Sequence, residues 1–142
     1  MKYFSNLKYG WVNLNIYNFS CSCSYIQNIP LTILEAYKEF YDKDYCVIIL
    51  DHEGYESEII ITSNGVQIFS YKDKIYHYDL TKYYNTYVKK LNLLKDLCSD
   101  IIDNIDEWTK WMYLGDTEDI HYQENVNRYK NAVLDYARIC KI

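Results

Sequence analysis

Residues 45–80, YCVIILDHEGYESEIIITSNGVQIFSYKDKIYHYDL, decide the fold. Tyr45-Cys46-Val47-Ile48-Ile49-Leu50 is a continuous apolar run, which reads as a central strand. Asp51-His52-Glu53-Gly54 makes a turn, and residues 55–62 form a second strand. Asn64-Gly65 is a strong hairpin signal because both residues tolerate positive φ. Residues 66–71 follow, then a Lys72-Asp73-Lys74 turn and a last strand over 75–80. Turns this short predict an antiparallel sheet.

Working outward to the N-terminal side, Val12, Leu14 and Ile16 alternate with Asn13 and Asn15, the signal of a half-buried strand. The phase then flips: Tyr17, Phe19, Cys21, Cys23 and Tyr25 are apolar, with Asn18, Ser20, Ser22 and Ser24 between them. Such a slip means either a bulge near Ile16-Tyr17 or two strands. Asn28-Ile29-Pro30 opens a helix, since proline is favoured in the first turn. Its apolar stripe is Ile33, Leu34, Tyr37, Phe40 and Tyr41.

On the C-terminal side the pattern turns helical. Tyr84, Tyr87, Leu91, Leu94, Cys98, Ile101, Ile105, Trp108 and Met112 recur at alternating steps of three and four, a heptad seam. Asp100 with Asp103 resembles a capping pair, which predicts a break near Ser99. Gly115 stops the helix and Asp116-Thr117-Glu118-Asp119 starts another, whose seam is Tyr122, Val126, Tyr129, Val133, Tyr136 and Cys140. Two seams joined by a short loop predict an antiparallel helical hairpin. The expected fold is α+β in a single domain over 1–142. It has a mostly antiparallel sheet of about four to six strands, one helix after the first strand, and the helical hairpin packed on the sheet.

Composition narrows the function. No apolar run approaches the ~18 residues of a membrane-spanning helix, and residues 1–8 lack the apolar core of a signal peptide, so a cytoplasmic protein with no membrane partner is expected. The net charge of −5 and only two arginines argue against a nucleic-acid partner. Eighteen tyrosines supply rigid rings with polar tips, a residue type over-used in binding patches. Five cysteines, Cys21, Cys23, Cys46, Cys98 and Cys140, are odd in number and are expected as free thiols. A zinc site prefers a C-x-x-C pair with a second matching pair. The sequence has neither, so no metal and no cofactor are expected.

Few motifs carry chemistry. The segment Asp51-His52-Glu53-Gly54-Tyr55-Glu56-Ser57-Glu58 gathers four carboxylates and an imidazole, a set that a metal-dependent hydrolase or nuclease could use to hold Mg²⁺. Nucleases of the PD-(D/E)xK type need a lysine two residues after an acid on the second strand, and Glu56-Ser57-Glu58 offers none. His121 and Glu124 have the three-residue spacing of di-iron bundles, but a second such pair is missing. His77, between Tyr76 and Tyr78, reads as an exposed strand residue. No nucleophile elbow or phosphate loop occurs, and no catalytic residue is assigned.

Charge is uneven along the chain. Residues 42–58 carry −5 and residues 96–119 carry −7. In the second segment Asp96, Asp100, Asp103 and Glu107 step by four, three and four along one helical stripe. Both segments suit acidic docking surfaces that steer a basic partner. The candidate partner-binding residues are Asp51, Glu53, Tyr55, Glu56 and Glu58 on the hairpin rim, with Asp100, Asp103, Asp106 and Glu107 on the helix.

The order of a strand, Ser24-Tyr25-Ile26, a helix after Pro30 and an apolar strand ending in Asp51-His52-Glu53-Gly54-Tyr55-Glu56 resembles small bacterial immunity proteins of polymorphic and contact-dependent toxin systems. The resemblance covers roughly residues 11–60. It implies a cytosolic protein that binds and blocks a cognate toxin, often a basic nuclease. The leading expectation is therefore a non-enzymatic, toxin-neutralising binding protein. The alternatives are a small metal-dependent hydrolase built on the Asp51–Glu58 cluster and a structural subunit that dimerises through surplus heptad face.

Overall fold

A computed structural model describes residues 1–8, 10–112 and 121–142. The N-terminal part is a three-stranded antiparallel sheet, β1 (Phe4–Lys8), β2 (Trp11–Ile16) and β3 (Phe19–Ser24), in that order. Helix α1 (Ile29–Lys43) leads to a four-stranded antiparallel meander, β4 (Cys46–Asp51), β5 (Glu56–Thr62), β6 (Gly65–Tyr71) and β7 (Ile75–Asp79). Helices α2 (Tyr87–Ile102), α3 (Ile105–Met112) and α4 (Tyr122–Ile139) follow. The class is α+β, as read from the sequence. Its arrangement differs: the described residues form two sheets rather than one, and the first helix follows the third strand.

The phase slip near Ile16 resolves as two strands. Tyr17 takes φ 53°, a left-handed turn conformation, and Ile16 pairs with Phe19 across it. Strand β1 carries no clean alternation because its register shifts between Ser5 and Lys8, with Asn6 at φ 56°.

Helix α1 is the hub of the core. Asn28 caps it by accepting from Leu31 N–H, and Asp44 ends it in a left-handed conformation, returning its N–H to Phe40. It packs on β4, α2 and α4, burying Ile29, Ile33, Leu34, Ala36, Tyr37 and Phe40. Tyr41, expected on the stripe, is exposed.

The C-terminal helices depart from the simple hairpin. The break falls at Asp103-Asn104 rather than near Ser99, and α4 packs chiefly on α3 and α1. Helix α2 buries Lys90, Leu93, Leu94, Leu97, Cys98, Asp100 and Ile101, a broad face, while Tyr87 of the expected seam is exposed. A straight helix turning every 3.6 residues drifts off a strict heptad line, and an α2 held mainly by α1 has no supercoiled partner to correct the drift. Tyr129 ties α4 to α1 by donating its hydroxyl to Asn28 Oδ1 at 2.8 Å. The signals at Gly115 and Asp116–Asp119 lie outside the described residues. Among those residues, no helix is long and apolar enough to cross a membrane.

Candidate functional site

Strand alternation sorts the second sheet into two faces. Ile48, Leu50, Ile59, Ile61, Val66 and Ile68 point into the core and are wholly buried. The register places the alternate residues in three rows on the other face. Asp51, Glu56, Tyr71 and Ile75 make the first row, Ile49, Glu58, Phe69 and His77 the second, and Val47, Ile60, Gln67 and Asp79 the third. All twelve are half-buried or exposed, and no described helix packs across them. The rows hold four carboxylates and no lysine or arginine.

The aromatic centre of this face is ordered by stacking. Phe69 lies against His77 with centroids 4.6 Å apart and against Tyr71 at 6.5 Å. Tyr71 Oη reaches Glu58 at 3.5 Å, and His77 bonds Gln67. Asp79 accepts from Thr81 and Gln67, bonds that hold its carboxyl below the usual range. Ile75 and Ile49 are 65% and 48% exposed, so large apolar groups stand in solvent among the acids.

The β4–β5 turn fixes the rest of the predicted rim. Glu53 (φ 56°) and Gly54 (φ 130°) are both left-handed, and Glu53 N–H donates to Asp51 Oδ1. Asp51, Glu53 and Glu56 are exposed and Glu58 is half-buried, so the structure brings these acids to one end and one face of the sheet. Tyr55 is set apart from them. It lies over His52, centroids 4.5 Å apart, and burial raises its hydroxyl pKa, with Cys21 and Cys23 adding to the shift.

His52 itself is buried. Its Nδ1 bonds the Ser22 carbonyl at 2.5 Å and its Nε2 stands 2.8 Å from Ser57 Oγ, which lies 2.9 Å from Ser70 Oγ. Burial pushes the imidazole pKa below 6.5, keeping it neutral. Ser57 is wholly buried, so this Ser–His contact is internal to the second sheet, and the bond to Ser22 links it to the first. Gln27 makes a second link: its amide donates to Ile49 C=O and accepts from Asp51 N–H, filling part of the β4 edge as a peptide would. This corrects the reading of β4 as a central strand. It is an edge strand of its sheet, and its apolar run is explained by α1 on one face and the β3–α1 connection beside it.

Of the acidic helix stripe, Asp100 alone is internal. Asp100 is buried and accepts from the backbone N–H groups of Lys2 at 2.6 Å, Tyr3 at 2.6 Å and Phe4 at 3.1 Å. It is neither a cap nor a surface group. Asp96 pairs with the Lys2 ammonium at 3.1 Å, and Asp106 pairs with Lys130 at 2.6 Å, which lowers the Asp106 pKa. Only Asp103 and Glu107 of the predicted helix set remain exposed without a described ion pair. His121 and Glu124 form an exposed pair at 3.4 Å.

All five cysteines are free thiols. Among the described residues, the one group of three or more side chains able to converge on a metal ion is Cys21, Cys23 and His52. Sequence spacing hid it, because His52 comes from the β4–β5 turn, distant in sequence from β3. Gln27, Phe69, Tyr71 and His77 were also missed. For the last three a signal was available, aromatic rings at the outward positions of strands; for Gln27 there was none. Compared with protein-family models, curated proteins and solved structures, the chain matches none.

Proposed function

We propose that the chain is a non-enzymatic binding protein that engages a basic protein through the outer face of β4–β7, and that this partner is a toxin it neutralises. The uncovered face carries the reading: apolar and aromatic groups at its centre, four carboxylates among them and no lysine or arginine in its rows. Exposed patches of this kind mark interaction sites, and aromatic anchors supply most of their binding energy. A basic cleft shaped for phosphate groups would meet Asp51, Glu56, Glu58 and Asp79 as substitutes. A second copy of this chain would bring the same carboxylates against them, a like-charge contact that disfavours self-association. The resemblance of residues 11–60 to immunity proteins supplies the word toxin.

Growth tests this reading. The product of the reading frame beside this gene is expressed in a host with and without the chain. Toxicity relieved by the wild-type chain, and not by one carrying Phe69→Ser and Glu58→Lys, is the expected result. A harmless neighbour, or toxicity that the chain leaves unchanged, would overturn it.

A further inference from the structure

We propose that Cys21, Cys23 and His52 form a binding site for a thiophilic cation, with Zn²⁺ the ion they fit best, and that the ion ties the first sheet to the β4–β5 turn. A two-residue step along β3 puts both thiols on one face, and their sulfurs stand 3.8 Å apart. Two thiolates bound to one tetrahedral zinc at ~2.3 Å each stand about 3.8 Å apart. The pair therefore needs little movement to bind. The β4–β5 turn brings the third donor: a ring nitrogen of His52 and both sulfurs lie within 4.8 Å of one another.

The surroundings suit a ligand histidine. A carbonyl only accepts, so the bond to Ser22 puts the proton on Nδ1 and leaves the lone pair on Nε2. Metal-bound histidines are oriented by this kind of outer hydrogen bond. The present neighbour of Nε2, Ser57 Oγ, keeps Ser70 Oγ when the imidazole turns to a metal. Cys23 and His52 are buried, whereas Cys21 is half-buried and gives an entry path and a place for water as fourth ligand. Two thiolates and an imidazole select zinc or copper(I) over magnesium or calcium.

Binding exchanges protons for metal: each thiol loses one as its Zn–S bond forms, and the neutral imidazole loses none. Affinity should accordingly fall as pH falls.

Cobalt titration of the reduced protein tests the site, with Zn²⁺ as competitor. The expected result is one Co²⁺ per chain, a thiolate-to-cobalt charge-transfer band, about two protons released per ion, and displacement by Zn²⁺. Cys21→Ser, at the half-buried position, should keep the fold and weaken binding more than about tenfold. Cys23→Ser and His52→Gln should do the same where they fold. No charge-transfer band, or a band of equal strength in Cys21→Ser, would overturn the proposal. Neither result bears on the sheet face or its partner.

Discussion

Three backbone N–H groups converge on the Asp100 carboxylate from the chain's first residues, and nothing else described meets them. Hydrogen bonds to a charged group contribute ~1.5–3 kcal/mol each, and a buried donor left bare carries its own desolvation cost. Asp100→Ala should therefore lower the unfolding free energy by ~2–4 kcal/mol in a urea titration. Asp103→Ala, an exposed acid three residues on, should stay within ~0.5 kcal/mol. Equal effects would show that the N-terminal segment is not held by Asp100. The sequence did contain a clue, an acid between Leu97 and Ile101 on the apolar side of α2, where charge must be paired. His52 yields a second expectation at this scale. Its folded pKa lies below its ordinary 6.5, so below that pH the unfolded chain binds a proton that the folded chain refuses. Stability from His52 is then complete above about pH 6.5 and falls as the medium is acidified toward the folded pKa. Chemical denaturation at a series of pH values should show this decline in the wild type. The decline should be shallower in His52→Gln, whatever that variant's overall stability; parallel curves would refute the assignment.

Elements whose signals are local were legible, and elements defined by their neighbours were not. Asn64-Gly65 and the Lys72-Asp73-Lys74 turn fix hairpins through the chemistry of a few residues, so β5, β6 and β7 fall within a residue or two of their expected places. Gly65 (φ 151°) also lets Thr81 approach, since a Cβ there would lie 2.1 Å from Thr81 Oγ1. By contrast, the apolar run of β4 records burial and not its partners. Gln27, twenty-two residues before Ile49, fills part of its edge, and no sequence period announces a side chain acting as a strand. The heptad reading failed for a similar reason: it presumes a helix pair, whereas α2 rests mainly on α1 and presents a wider face. Leu94 is common to both readings and is wholly buried. Leu94→Ala should cost ~2–5 kcal/mol, while Val88→Ala on the exposed side of the same helix should cost less than ~0.5 kcal/mol. Thermal denaturation of the two variants measures the difference, and a stable Leu94→Ala protein would contradict the packing.

At the scale of the molecule, the two acidic segments serve different ends. In one, Asp100 is held internally by the N-terminal segment, while Asp96 and Asp106 pair at the surface with Lys2 and Lys130. From the other, Asp51, Glu56 and Glu58 are displayed on a sheet face whose inner side is core. Composition placed negative charge in both; only the fold separates them. That separation makes the functional reading testable in kinetic terms. Exposed charges act through the association rate and its salt dependence, whereas groups desolvated at an interface act through dissociation. Replacing Asp51 by Asn and Glu56 by Gln, both exposed, should slow association with a basic toxin and flatten its salt dependence, leaving dissociation nearly unchanged. Asp103→Asn with Glu107→Gln removes two charges from α2–α3 and should alter both rates less. Glu58 differs from the rim acids, being half-buried beside the Tyr71 hydroxyl and flanked on β6 by Phe69. If the face is covered by the partner, Glu58→Gln and Phe69→Ala should release it faster, each weakening binding by ~2 kcal/mol or more. Stopped-flow association and dissociation across a salt series separates these effects. Binding insensitive to all four sites would mean that the face is only a solvated surface.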